Sequence, residues 1–245
     1  MSPGKRYEHA PVVEAILEFQ VASPVSDLEQ LRGLTDALPG WADAEHAHLM
    51  ASEFSIAPDD ASVSKPQAVA HIFKSGDSTL TVAPDRMAYS WAGDYTSWDD
   101  LTASAIPAWI AYRELARPTQ LRRLGTRFIN VIDIPSASIE IRDYLRTAVG
   151  ISSYLPQALE SFFLQVEIPL DDERKMGVKL TSTIGQGPPG RTSLILDLDT
   201  YKRCNLDLQD PQDGEGWIPD LAELRQAKDY VFEACITDAT RGLIE

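Results

Sequence analysis

Long hydrophobic runs are missing from this chain of 245 residues. Val12 to Val21 is interrupted by two glutamates and Ser193 to Leu198 by an aspartate. Nothing approaches the roughly 20 apolar residues that a membrane-spanning helix requires. The basic pair Lys5-Arg6 has no apolar segment behind it, which does not fit a secretory signal, so a cytoplasmic location is expected. Cysteine is scarce. Cys204 and Cys235 stand in unlike contexts, one near a strand end and one inside a helical pattern, which argues against a disulfide framework. The histidines are four, His9, His46, His48 and His71. His46 and His48 could face a metal from one side of a strand, but a zinc site needs three or four ligands and no third lies near in sequence. No metal and no cofactor is expected. Basic residues are also in deficit, 22 against 37 acidic, for a net charge of −15. Such a surface repels phosphate backbones, so nucleic acid is not an expected partner, whereas a basic protein partner is accommodated.

Signature motifs of catalysis are absent too. There is no Ser-His-Asp, Cys-His or His-Glu-x-x-His arrangement in a persuasive context. Gly185 to Gly190 is glycine-rich, but no Lys-Ser/Thr and no helix start follow it, and its two prolines remove amides that a phosphate loop would use. It reads as a long hairpin tip.

Val13, Ala15, Leu17, Phe19 and Val21 alternate with residues that include Glu14, Glu18 and Gln20, the period of a half-buried strand. Leu28, Leu31, Leu34 and Leu38 follow at helical spacing, opened by Ser26 or Asp27 and closed by Pro39-Gly40. Residues 41 to 66 lack a period and are expected to be mostly irregular, with a short strand near Phe54 to Ile56. Ala68 to Lys74, Thr79 to Ala83 and Met87 to Trp91 are strands joined by tight turns. A helix capped by Ser97 comes next, and Pro107 is expected to kink or divide it. The order then restarts: a strand at Arg122 to Ile134, a helix at Ile139 to Val149, and strands at Ser161 to Pro169, Met176 to Ile184 and Thr192 to Asp199. A long helix beginning around Trp217 to Asp220 closes the series.

The expected fold is α+β, two tandem β-α-β-β-β-α halves forming a curved antiparallel sheet covered by helices on one face. The halves divide at residues 1–118 and 119–245, and with no Gly/Ser/Pro linker between them they are expected to form one compact unit.

Five ordered stretches carry a resemblance: Ala10-Pro-Val-Val-Glu-Ala-Ile-Leu-Glu-Phe, Tyr95-Thr-Ser-Trp, Gly125-Thr-Arg-Phe-Ile-Asn-Val-Ile-Asp-Ile-Pro, Ile195-Leu-Asp-Leu-Asp-Thr-Tyr and Phe232-Glu-Ala-Cys-Ile-Thr-Asp. Together they resemble a sporadically distributed prokaryotic protein family of about this length. The resemblance implies no catalytic residues and no cofactor. Its patchy distribution implies an accessory role, with defence or toxin neutralisation as the setting. Phe128 and Val131 depart from the family's strand, which carries a tyrosine and a second arginine there.

Arg117, Arg122, Arg123 and Arg127 form the one dense basic cluster. On an extended strand Arg123 and Arg127 share a face and could converge on an anion, or else pair with surplus surface acids. Asn130 falls on the other face with Phe128 and Ile132, where a buried amide needs partners. Candidate ligand-binding residues are therefore Arg123, Arg127 and Asn130. Asp197 and Asp199 resemble a carboxylate pair for a divalent cation, but further oxygen ligands are not identifiable, and a salt bridge to a nearby arginine is the competing reading. The leading expectation is a non-catalytic accessory protein that binds a protein partner, with homodimerisation left open. The alternatives are a module that binds an anionic small molecule, and a metal-dependent enzyme.

Overall fold

The computed structural model describes residues 5–23, 27–49, 67–185, 187–210 and 215–245. The nine strands among them are β1 (Val12–Ala22), β2 (Ala42–Leu49), β3 (Gln67–Ser75), β4 (Ser78–Ala83), β5 (Arg86–Trp91), β6 (Gln120–Ile134), β7 (Phe163–Asp171), β8 (Met176–Gly185) and β9 (Thr192–Asp207). They form one open sheet in the order β2-β3-β4-β5-β1-β6-β9-β8-β7, antiparallel at every seam. Four α-helices among the described residues accompany it: α1 (Leu34–Ala37), α2 (Trp98–Ala116), α3 (Trp217–Cys235) and α4 (Asp238–Ile244). The architecture is mixed α+β.

The alternation in β1 holds from Ala15 onward, where Ala15, Leu17, Phe19 and Val21 are buried; Val13, beside a bulge between Val12 and Glu14, is exposed instead. On the covered face of β6 the buried set is Leu121, Leu124, Thr126, Phe128, Asn130, Ile132 and Ile134. The change of parity between Leu121 and Leu124 is made by a bulge between Leu121 and Arg123, which brings both leucines to the covered face. Helices α2 and α3 lie on that face. Phe19 stacks on Trp109 of α2 at 4.1 Å and meets Trp217 of α3 edge-on at 5.9 Å. Each fully buried side chain of this kind stabilises the fold by about 1.5–3 kcal/mol. A second apolar cluster, including Ile132, Leu180, Leu194, Leu196, Val231 and Ile236, sits under the C-terminal half of α3.

Several local expectations are corrected. The leucine repeat before Pro39 forms a 3-10 segment, Leu28–Gly33, followed by the single turn of α1, with Leu31 and Leu34 carrying the buried contacts. Residues 42–49 are strand, pairing with β3, rather than irregular. The strand expected near Phe54 to Ile56 lies outside the described residues. Pro107 does not interrupt α2, which runs unbroken for 19 residues. Pro107 and Ala103, whose carbonyl loses its helical donor, both lie on the exposed side, while Leu101, Ala105, Ala108, Trp109 and Tyr112 fasten the helix to the core.

The helix expected over Ile139 to Val149 is only a 3-10 turn at Ile141–Asp143. Its backbone is spent elsewhere: Arg146 N donates to Cys235 O, Thr237 N to Tyr144 O and Thr240 Oγ1 to Tyr144 O, at 2.8, 3.1 and 2.6 Å. Strand β9 extends eight residues beyond Asp199, and α4 is an element the sequence reading lacked. No helix among the described residues is long and apolar enough to cross a membrane.

Candidate functional site

Strand β6 presents the candidate residues to two environments. Arg123 and Arg127 point to the sheet face that α2 and α3 leave open. Asn130 is 1% exposed on the covered face. The three do not converge, because strand alternation sends residues of opposite parity to opposite sides. Arg117 is the left-handed C-cap of α2, so the basic run in sequence is not one patch in space.

On the open face the arginines meet carboxylates. Arg127 makes a two-pronged pair with Asp197, Nε to Oδ1 at 2.8 Å and Nη2 to Oδ2 at 2.6 Å. That hydrogen-bonded carboxylate raises the Arg127 pKa above its ordinary value. Arg123 bridges Glu18 and Asp199, each at 2.6 Å, and lies over the Tyr201 ring at 4.8 Å. Gly125 and Gly177 make this possible: a side chain at either would collide with Arg123 or the Tyr201 hydroxyl. Tyr201 in turn donates to Glu167, which also accepts from Arg203. The Asp197 and Asp199 carboxylates are thus engaged by guanidiniums, and no group of three His, Cys, Asp or Glu residues able to hold a metal occurs among the described residues.

The covered face holds a cavity of about 630 Å³ between the N-terminal segment, the loop before α2, β6 and α3. This volume is in the range of small-molecule sites. Its aromatic lining includes Tyr95, Phe128 and Phe232, with Tyr95 edge-on to Phe128 at 5.2 Å. Asn130 enters from the strand. Its Nδ2 donates to Phe128 O at 3.1 Å and Leu196 O at 3.0 Å. Both contacts are carbonyls, which fixes the amide orientation with Nδ2 toward the backbone, and Asn130 lines the cavity.

Lys228 enters from α3. Its Nζ lies 4.5 Å from the Phe128 ring centre and 5.6 Å from that of Trp98, and donates to Asp229 at 2.5 Å. Burial lowers the Lys228 pKa, with Asp229 opposing the shift. Burial, followed by the charge of Asp229, raises the Tyr95 phenol well above its usual range.

The sequence reading found Asn130 but missed Lys228 and Tyr95. The signal for Lys228 was its place four residues after Leu224, on the apolar side of α3. Tyr95 carried only the weaker signal of standing just before the Ser97 cap. No family model matches the chain, and no curated protein matches its sequence.

Proposed function

We propose that this is a non-catalytic binding protein that holds a small organic molecule in the cavity between β6 and α3. One observation carries the reading: Asn130 is almost wholly buried, its amide is oriented by two backbone carbonyls, and it lines a ligand-sized space. The amide oxygen is the acceptor of Asn130 that these two bonds do not use, and a ligand donor could meet it. A thermal-shift screen of a broad metabolite library tests this, since a ligand at about 100 times its Kd adds about 2.7 kcal/mol. Hits should perturb the amide signals of Phe128, Asn130 and Phe232. A broad library without one cavity-directed hit would overturn the reading.

The anionic ligand expected from Arg123 and Arg127 is reassigned to this cavity, because those guanidiniums face the other side and are occupied by acids. A protein partner remains a second reading, favoured by Tyr154, Leu155 and Phe163, apolar residues that are 95%, 60% and 69% exposed. A photo-crosslinker at position 154 should capture one defined partner in the native host, and Leu155→Ser should abolish that capture. Crosslinks spread over many proteins would remove this reading.

The strand order supports the reading of two tandem halves. Outward from the β1–β6 seam it runs β5, β4, β3, β2 on one side and β9, β8, β7 on the other, so the first half carries one strand more. Co-expression of residues 1–118 and 119–245 as separate chains should reconstitute one sheet, and failure to associate would count against paired halves.

A further inference from the structure

The charges around the cavity are not equivalent. Lys5, which pairs with Glu245, stands at the mouth with Arg6, Glu8 and Asp94, and these four lining charges are exposed. The innermost pair is Lys228 and Asp229, whose side chains are 14% and 24% exposed. The more buried member is therefore the cation. An ammonium has three donors, and Asp229 is the acceptor seen here; aromatic faces at 4.5 and 5.6 Å compensate the rest only in part. A buried, under-coordinated ammonium attracts an oxyanion and repels a cationic ligand.

The second anchor lies two residues along β6 from the ring beneath Lys228. Phe128 and Asn130 share a face and lie about 6.7 Å apart along the strand. Tyr95, Phe128 and Phe232 border the cavity, which favours a flat, apolar body. We infer that the cavity selects a planar aromatic acid, with its carboxylate on Lys228 and an N–H or O–H donor at the far end of the ring meeting Asn130 Oδ1. This rests on the ligand-binding reading above and names the class of ligand.

Para-aminobenzoate is the matching probe. Benzoate lacks the donor, para-aminobenzamidine replaces the carboxylate with a cation, and cyclohexanecarboxylate lacks planarity. Ligand-detected NMR and calorimetry on the full chain should give binding for para-aminobenzoate, several-fold weaker binding for benzoate and cyclohexanecarboxylate, and none for para-aminobenzamidine. Lys228→Met should weaken para-aminobenzoate at least tenfold, while Lys228→Arg should retain part of the affinity. Where Lys228→Met does not fold, the wild-type protein decides, because the probe must shift the Lys228 Cε signal. Equal or tighter binding of para-aminobenzamidine overturns the acid class while leaving the cavity a binding site. The acid class also falls, and the cavity again stands, if aromatic acids do not bind but other library compounds do. No cavity-directed binding by any compound overturns both.

Discussion

Replacing Gly125 with alanine should release the arginine that braces the open face. A methyl group there would stand 2.5 Å from Arg123 Nη1 and 3.1 Å from its Cζ. A free arginine would swing aside at little cost. This one is held by Glu18 and Asp199 at 2.6 Å each and lies over Tyr201, so it can move only by leaving all three. The acids left behind have side chains 23% and 15% exposed, so water compensates them in part. The loss falls between the ~0–1 kcal/mol of an exposed pair and the ~3–5 kcal/mol of a fully buried one. Alanine recovers about 0.5–1 kcal/mol over glycine within a strand. We expect a net loss of about 1.5 kcal/mol, or about 3–6 °C in Tm for a chain of this size. A double-mutant cycle with Arg123→Met, followed by urea unfolding, is the assay. In the Arg123→Met background Gly125→Ala should be neutral or slightly stabilising. Equal destabilisation in both backgrounds would refute the account, since it would locate the cost in the backbone.

Asp197→Asn removes the acid from the two-pronged pair with Arg127, whose own side chain is 46% exposed. It should cost about 1 kcal/mol in urea unfolding, and less as salt is raised, whereas a salt-independent loss would point to packing. Pro107→Ala restores a donor for the exposed turn of α2 and should raise stability by about 1–2 kcal/mol, the helical gain exceeding the extra entropy of the unfolded chain. A lower Tm would show that the ring contributes packing. Burial raises the thiols of Cys204 and Cys235 to about 12 and about 11, above an ordinary value of 9.0. A raised folded pKa contributes stability that is complete below the unfolded pKa and is lost as pH rises through the folded one. The urea midpoint should therefore fall above about pH 9, and the folded protein should resist iodoacetamide at pH near 8. Rapid labelling of the native chain would contradict this.

The strands other than β2 were legible because their information is local, whereas residues 42–49 carry no period of two. In β1 and β6 the alternation is written residue by residue, and Phe128, Asn130 and Ile132 fall on the expected side. Elements stabilised by distant backbone were not. The Ile139 to Val149 segment has helical spacing, and Tyr144 N and Leu145 N close one turn on Ile141 O, yet Arg146 N and Tyr144 O bond to the α3–α4 junction instead of continuing it. Pro107 misled for the opposite reason, since its local penalty is outweighed by the tertiary contacts of Leu101 and Trp109. At the site, Arg123 and Arg127 were identified as face-sharing arginines, but their partners, Glu18, Asp197 and Asp199, come from strands 70 or more residues away. Lys228 was hidden because the aromatic rings that surround it assemble only when α3 settles across β6.

Strand β6 faces helices on one side and, among the described residues, no helix on the other, and this should leave a mark on how the chain tolerates change. In a saturation scan, Thr126, Phe128, Asn130 and Ile132 should accept few substitutions. Ile129 and Val131, on the opposite face, should accept many, giving a tolerance pattern of period two. The bulge between Leu121 and Arg123 shifts the phase of that pattern by one residue. Insertions or deletions within β6 would invert it, moving Asn130's neighbours outward and the charged residues into the core. Descendants of this sequence are therefore free to vary the charges of one surface while the length of the strand beneath it stays fixed.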